Sequence, residues 1–315
     1  LRILMLSDYF PPHVGGGVEQ VVSKLVEGLV QRGHTVAVQT LLTCPAPAIE
    51  VNGTLTIRRV PALDLTPRLG VQQAVSLRLL TATFRFIRYF KPDVIHAHNL
   101  FFRTTEVAAL LRTVFHIPLV TTIHLGKAEG KANMFNMLVN IYESTVGNFI
   151  LRRSDRLIAV SYAVAEHLRA INSRVGSVTV IPNGVDTSLF FPGYNHDIGQ
   201  TILFVGRLVP NKGTEVLIQA VPKVLSRHPY AQFVLVGDGP LRNQLQKQVC
   251  YLDINNNVKF LGIRLDVPQL MRDATLFVRP STLEGMTLTV LEAMASGLPV
   301  VATPVGGTPE ILHHG

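Results

Sequence analysis

Glu284 and Glu292 stand eight residues apart in the run Pro280-Ser-Thr-Leu-Glu-Gly-Met-Thr-Leu-Thr-Val-Leu-Glu-Ala-Met-Ala-Ser-Gly297. Glu284-Gly285 reads as a tight loop after a strand. Met286 to Ser296 reads as a helix, stopped by Gly297. A helix beginning directly after Gly285 aims free backbone N–H groups past the strand end, a place to hold a phosphate or a sugar hydroxyl. The first carboxylate then lies at the mouth of the site. The second, about two turns along, reaches a more buried hydroxyl. Spacing by itself does not separate this reading from two solvated charges.

Two cations supply complementary chemistry. The run Val205-Gly-Arg-Leu-Val-Pro-Asn-Lys-Gly213 puts Arg207 at a strand end and Lys212 just before a helix. A guanidinium offers a fork and an ammonium a point charge, which together suit a diphosphate; solvated surface charges are the plain alternative. The run is no P-loop, because G-x(4)-G-K-[ST] is absent. Gly237-Asp-Gly239-Pro240 ends the next strand and reads as a helix-start turn near a base or ribose. Near the N-terminus, Gly15, Gly16 and Gly17 lie between the first strand and a helix, so a ligand can approach the backbone closely. A flexible turn is the alternative there. A dinucleotide fold is disfavoured: G-x-G-x-x-G fails at Gln20, and no acid lies between Val36 and Ala48 to take a ribose.

His124 follows the strand Leu119–Ile123 at its carboxyl end, either as a site residue or as a hydrogen-bonded loop histidine. His96 and His98 alternate on one strand face and read as core or cleft-lining. No third ligand with metal spacing accompanies them, so no metal site is expected.

Such residues need strands that end together and helices that begin there. Apolar strand patterns occur at Arg2–Ser7, Thr35–Thr40, Val94–His98, Leu119–Ile123, Arg156–Ser161 and Val178–Ile181. Helical patterns fill most of the gaps, at Val18–Arg32, Leu77–Phe90, Thr104–Phe115, Met134–Leu151 and Ala163–Ala170. A second series has strands at Thr201–Val205, Gln232–Val236, Val258–Leu261, Leu276–Arg279 and Pro299–Ala302. Its helices fall at Thr214–Arg227, Leu241–Leu252, Val267–Asp273 and Thr287–Ser296. Continuous apolar strands separated by helices imply parallel sheets covered on both faces. The fold class is α/β, two doubly wound domains: residues 1–182, a linker at 183–200 rich in turn residues, and residues 201–315. Ligands in such sheets bind beyond the carboxyl ends of the strands, so two facing domains would form a cleft.

With 315 residues and 47% hydrophobic content, the chain can bury two cores. Cys44 and Cys250 fit neither a disulfide framework nor a zinc site, which suits a reducing, cytoplasmic setting. No apolar stretch reaches spanning length, and the first residues read as a strand rather than a signal peptide. The net charge of +8 belongs wholly to one half: residues 1–182 hold 19 Lys/Arg against 11 Asp/Glu, and residues 183–315 hold 10 against 10. A basic half suggests an anionic partner. Leu77–Lys91 carries Arg78, Arg85, Arg88 and Lys91 among aromatics. Met134–Leu151 is flanked by Lys127, Lys131, Arg152 and Arg153. Both suit the cytoplasmic face of an anionic membrane, with ordinary sheet-packing helices as the alternative. No nucleic-acid motif accompanies the charge.

Pro280-Ser281, Glu284-Gly285, Leu291–Ala295 and Gly297–Val301 together resemble the donor-site block of the retaining glycosyltransferases of family 4, which have the GT-B fold. Val205–Gly213 resembles the family's G-R-x(4)-K-G motif, whose Arg and Lys contact the donor diphosphate. Gly16-Gly17-Val-Glu19 resembles its N-terminal loop, Pro182–Asp186 its hinge, and Gly306–Glu310 its last donor-lobe loop. The resemblance implies transfer of a sugar from a UDP- or GDP-sugar to a lipid-linked, polysaccharide or other hydroxyl acceptor, with retained configuration. The nucleotide-sugar is the co-substrate, and no further cofactor is implied. Arg207 and Lys212 would hold the leaving diphosphate, with Gly237 nearby, and Glu292 the ribose. Glu284 with the backbone of Gly285, Met286, Thr287 and Leu288 would hold the sugar. His124 would assist at the sugar, and Gly16 and Gly17 would seal the phosphates. The Asp-x-Asp metal clamp of the other large glycosyltransferase fold is absent, so the implied reaction is metal-independent. The family normally continues past this point with a strand and helices, so the second lobe is expected to be incomplete. A non-catalytic, membrane-peripheral protein with the same fold, serving in a complex, is the alternative, and an NAD(P) oxidoreductase a weaker one.

Overall fold

The structure, a computed structural model, describes residues 1–13, 16–66, 72–126, 134–173, 176–193 and 199–313. The chain divides into two compact units, with the change at Pro182/Asn183.

The first unit is built on β1 (Arg2–Leu6), β2 (Thr35–Leu42), β3 (Ile49–Asn52), β4 (Leu55–Pro61), the short pair β5 (Leu63–Asp64) and β6 (Ala74–Val75), β7 (Val94–His98), β8 (Leu119–Ile123), β9 (Arg156–Ala159) and β10 (Val178–Val180). The main sheet runs β10-β9-β8-β7-β1-β2-β4-β3 and is parallel except for the β3–β4 hairpin. β1 is buried at four of its five positions, as expected for a central strand covered on both faces. Leu6 pairs with Ala97 on one side and Gln39 on the other. The order reverses between β1 and β7, so their carboxyl ends flank a topological switch point.

Helix α1 (Gly17–Gln31) buries Val22 and Val26 against Ile3, Met5, Val36 and Val38. Helix α2 (Leu79–Phe90) buries Leu79, Thr83, Phe86, Ile87 and Phe90 at three- and four-residue spacing, the stripe of a sheet-packing helix. Leu80, Phe84, Arg85 and Arg88 remain exposed on it. Helix α3 (Arg103–Phe115) has no cap of its own. Asp8, just beyond β1, takes that role from 95 residues away: its carboxylate accepts from the N–H groups of Arg103 (2.9 Å) and Thr104 (2.8 Å) and from the Thr104 hydroxyl (2.7 Å).

Two features depart from the sequence expectation. The hairpin Ile49–Asn52/Leu55–Pro61 was not anticipated, and β4 adds seven parallel pairs to β2. The helix expected over Met134–Leu151 is instead three pieces: α4 (Met134–Tyr142), a π-helical turn at Glu143–Gly147, and α5 (Asn148–Arg153). Ser144 and Thr145 hydroxyls donate back to the Ile141 carbonyl at 3.0 and 2.6 Å, and Glu143 is drawn inward to His167 at 2.9 Å. Both interactions accommodate the extra residue of a π turn. Helix α6 (Tyr162–Ile171) follows, capped by Ser161. Lys127 and Lys131 lie outside the described residues.

The second unit has the sheet order β13-β12-β11-β14-β15, all parallel: β11 (Thr201–Val205), β12 (Gln232–Val236), β13 (Val258–Gly262), β14 (Leu276–Arg279) and β15 (Val300–Ala302). Helices α7 (Thr214–Leu225) and α8 (Arg242–Tyr251) cover one face around Phe204, Ile218, Phe233 and Leu245. Helices α9 (Val267–Asp273) and α10 (Leu288–Ala295) cover the other around Leu203, Met271, Phe277 and Val290. The short α11 (Thr308–Ile311) follows β15. The sheet reverses order at β11/β14, which directs a ligand to the loops after Val205 and Arg279. Residues 183–193 pack on this unit: Phe190 joins the second core face, and the Arg272 guanidinium lies 4.6 Å from the Phe191 ring centre.

Candidate functional site

In the second unit, four loops meet backbone to backbone at the carboxyl ends of β11, β12, β14 and β15. The Gly206 N–H donates to the Val236 carbonyl (2.9 Å), Leu208 N–H to Asp238 (2.9 Å), Thr282 N–H to Asn211 (2.9 Å) and Gly307 N–H to Gly285 (2.6 Å). Gly213 has φ +68 and faces the Pro280 carbonyl so closely that a Cβ would collide with it. Gly237, at φ +125, abuts the Gly206 carbonyl in the same way. Glycine at these positions is a steric requirement of the loop junction.

The charged side chains are set on that junction. Lys212, ending a 3-10 turn at Pro210–Lys212, places Nζ 2.7 Å from Glu284 Oε1. Arg279, the last residue of β14, donates to the same oxygen from Nη2 (2.9 Å) and Nε (3.1 Å), and from Nη1 to the Val205 carbonyl (2.7 Å). Burial alone would raise the Glu284 carboxyl, but Arg279 and Lys212 hold it down at about 2. Burial, with Arg279 and Arg207 adding repulsion, depresses the Lys212 ammonium to about 8 against the pull of Glu284. Arg207 is half-buried beside them. Lys212 and Arg279 thus share one firmly ionised acid, with Arg207 near enough to Lys212 to repel it, a basic junction suited to an anion.

Helix α10 corrects one expectation. It starts at Leu288 with Thr287 at the N-cap, not directly after Gly285. The Gly285 carbonyl is taken by Gly307 and the Met286 carbonyl by Asn183 Nδ2 (3.1 Å), so neither enters the helix. Gly285 and Met286 therefore line the loop, and the free N–H groups belong to Leu288 and the residues after it. Glu292 lies about one turn in rather than two. It is half-buried without a hydrogen-bond partner among the described residues, and burial raises its carboxyl to about 7, with Arg279 pulling it back. The hydroxyls of Thr214, Thr287 and Thr289 are likewise buried without partners there.

In the first unit, His124 is buried just past β8, and its Nε2 lies 3.1 Å from His98 Nδ1. The rings of His96 and His98 stack with centroids 4.4 Å apart, and His96 Nε2 meets Thr122 Oγ1 at 2.8 Å. Burial depresses all three, His96 to about 4, His124 to about 3 and His98 well below its ordinary value. They are neutral imidazoles at physiological pH, so one nitrogen of the His98–His124 contact donates and the other accepts. No cluster of three or more His, Cys, Asp or Glu among the described residues is arranged to hold a metal. Gly17 begins α1 and Gly16 stands at its N-cap. Below them the buried Glu19 accepts from Gln72 at 2.9 Å. Gly15 lies outside the described residues.

Arg207, Lys212, Gly237 and Glu284–Leu288 are therefore brought together in the second unit, with Glu292 one turn into α10. His124, Gly16 and Gly17 belong to the first. Sequence reasoning missed Arg279; its signal was an arginine closing an otherwise apolar strand. It also missed Asp8, whose partners are remote in the chain.

Two family descriptions match: "Glycosyltransferase Family 4" over residues 15–189 and "Glycosyl transferases group 1" over residues 199–315. An uncharacterised glycosyltransferase of Methanocaldococcus jannaschii is 33% identical across the whole chain, which spans 83% of that protein. One of the phosphatidylinositol N-acetylglucosaminyltransferase subunits of Arabidopsis thaliana is 30% identical over 99% of the chain and 69% of its own length. Among solved structures, the sucrose-phosphate synthase of Thermosynechococcus elongatus superposes with a TM-score of 0.82 at 26% identity, over 97% of this chain and 82% of that one. The chain belongs to glycosyltransferase family 4, the GT-B-fold glycosyl transferases group 1.

Proposed function

We propose that this glycosyltransferase takes a sugar from a UDP- or GDP-sugar and passes it to a hydroxyl acceptor with retention of configuration and without a metal ion. The observation that carries the reading is the pairing of Lys212 and Arg279 with the ionised Glu284, with Arg207 beside Lys212, at the switch point of a doubly wound sheet. Arg207 and Lys212 neutralise the departing diphosphate, the largest charge that develops in such a transfer. The loop Glu284–Thr287 and the free N–H groups at Leu288 hold the sugar, while the unpartnered Glu292 takes the ribose hydroxyls. The bond from the anomeric carbon to the diphosphate breaks and the acceptor oxygen bonds on the same face. The acceptor proton passes to the leaving phosphate, so no protein nucleophile is needed. His124, neutral and held by His98, serves at the sugar, and Gly16-Gly17 closes over the phosphates.

A lipid-linked acceptor suits the basic first unit, where Arg85 and Arg88 stand exposed beside Leu80 and Phe84. The Arabidopsis relative named above acts, by its name, on a phosphatidylinositol. No helix among the described residues is long and apolar enough to cross a membrane; attachment through these basic and apolar side chains would be peripheral, at the cytoplasmic face.

Incubation with a panel of labelled UDP-, GDP- and ADP-sugars, with EDTA present, tests the reading. Release of nucleotide from one donor is the expected result. Binding without release would favour a non-catalytic role in a complex. Failure of both binding and release would sink the donor-site assignment.

A further inference from the structure

We propose that Arg279 is the positioning residue of the donor site: it grips Glu284 and keeps the carboxylate aligned and charged when the donor's diphosphate draws Lys212 away. The inference rests on the donor-site reading and deepens it.

Arg279 is 5% exposed and spends its guanidinium in two directions. Nη1 donates to the Val205 carbonyl at 2.7 Å, the last residue of β11, and Nη2 and Nε reach Glu284 Oε1 at 2.9 and 3.1 Å. The side chain therefore ties together the strand ends from which the Gly206-Arg207 loop and the Glu284-Gly285 loop start. The Phe204 ring lies 5.5 Å from the guanidinium carbon. Space for Nη1 exists because residue 206 is a glycine; a Cβ at that position would strike that atom.

Lys212 shares the same carboxylate oxygen at 2.7 Å. The two cations differ in what they can do next. An ammonium on a four-carbon stem can swing to a phosphate; a planar fork anchored at Val205 cannot follow without breaking its other bonds. With a diphosphate bound, Lys212 and Arg207 turn to the phosphates, and Arg279 alone remains on Oε1. That retained grip fixes the direction of the second Glu284 oxygen toward the sugar. The charged groups facing Glu284 are Arg279 and Lys212. Those facing Lys212 are Glu284, Arg279 and Arg207, and Glu292 feels Arg279.

The test uses Arg279→Met and Arg279→Lys in the whole chain. Wild type is first titrated with UDP, GDP and ADP. Binding of none of them overturns the donor-site reading itself. The hold of Arg279 is read separately in ligand-free protein, from the Lys212 signal in NMR of 13C-methylated lysines. In Arg279→Met the Lys212 titration moves upward from its wild-type position. With the donor that turns over, Arg279→Met loses about 100-fold in kcat/KM; in a Glu292→Gln background, which removes the limb that Glu292 sets, it also gains an acid limb above about pH 4, the ordinary carboxylate range, absent from Glu292→Gln alone. Arg279→Lys recovers part of the rate. A purely structural role would lower the melting temperature and the active fraction while leaving the pH profile and the Lys212 titration as in wild type; that result overturns the proposal. Should Arg279→Met not fold, Arg279→Lys decides alone, and wild-type rate and profile in that variant overturn it.

Discussion

Lys212→Met should lose activity and gain stability at the same time. The Lys212 side chain is 16% exposed, and its ammonium is depressed from 10.5 to about 8 by burial and by Arg279, even with Glu284 at 2.7 Å. That displacement amounts to about 3 kcal/mol against the charged form in the folded state at neutral pH. Methionine keeps much of the stem's length and removes the charge, while Arg279 continues to pair Glu284. The variant is therefore expected to be more stable than wild type at pH 7, by up to about 3 kcal/mol less whatever packing is lost. The sign can be followed with pH. Between about 8 and 10.5 the unfolded lysine keeps its proton and the folded one does not, so wild type gains stability there and the difference closes. Denaturant melts at pH 7 and near the upper end of that window measure it. Nucleotide release from the donor should fall by about 100- to 1,000-fold, the usual effect of removing a preorganised charge from a developing anion. A variant less stable at pH 7, with activity reduced only in proportion to its folded fraction, would refute the reasoning.

Glu292→Gln should become more stable relative to wild type as pH rises, because a carboxyl raised to about 7 keeps its stabilising proton below 4.5 and loses it through 7; donor KM should rise, and melts across pH 5 to 8 with initial rates check both. Asp8→Ala removes the cap of α3 and should lower stability by about 1–2 kcal/mol in urea melts while leaving the UDP or GDP affinity of the protein intact. Gly213→Ala forces a Cβ into the Pro280 carbonyl at a positive φ and should destabilise by more than about 1 kcal/mol, with loss of nucleotide affinity beyond the loss of folded protein.

The parallel strands were legible wherever burial is two-sided. Arg2–Leu6 and Gln232–Val236 are nearly uninterrupted apolar runs, and the sheets use them as central strands. Leu55–Pro61 was not legible, because it alternates with threonine and carries Arg58 and Arg59. The buried Arg59 is tolerated only because Pro11 (2.7 Å) and Pro47 (2.9 Å) offer carbonyls and Glu50 pairs with it. Those partners come from two segments: Pro11 beyond β1, and the stretch from Pro47 to Glu50 that enters the unanticipated hairpin strand β3. The π turn at Glu143–Gly147 was hidden for a similar reason: the apolar period through Met134–Leu151 continues, while Glu143 finds its partner in His167, 24 residues away.

The loops of the proposed donor site were readable because backbone geometry demands a residue type. Gly213 and Gly237 sit where a carbonyl leaves no room for a Cβ, so glycine is visible as glycine. Charge carries no such mark. Arg279 at the end of Leu-Phe-Val-Arg looks like a strand meeting solvent, yet it is among the most buried cations in the chain. Its meaning depends on a carboxylate five residues on and on Lys212, which lies 72 residues from that carboxylate. The histidines behave alike: the alternation of His96 and His98 marks a strand face, but only the fold shows that His98 touches His124 and that burial keeps the group neutral. Lys212 and Arg279 share one ionised acid, and burial, with repulsion from Arg279 and Arg207 behind it, still depresses the Lys212 ammonium. Under the proposed function, a bound diphosphate would draw Lys212 and leave Glu284 on Arg279. Loops of this shape without the three cations would keep the fold and have nothing to draw a diphosphate.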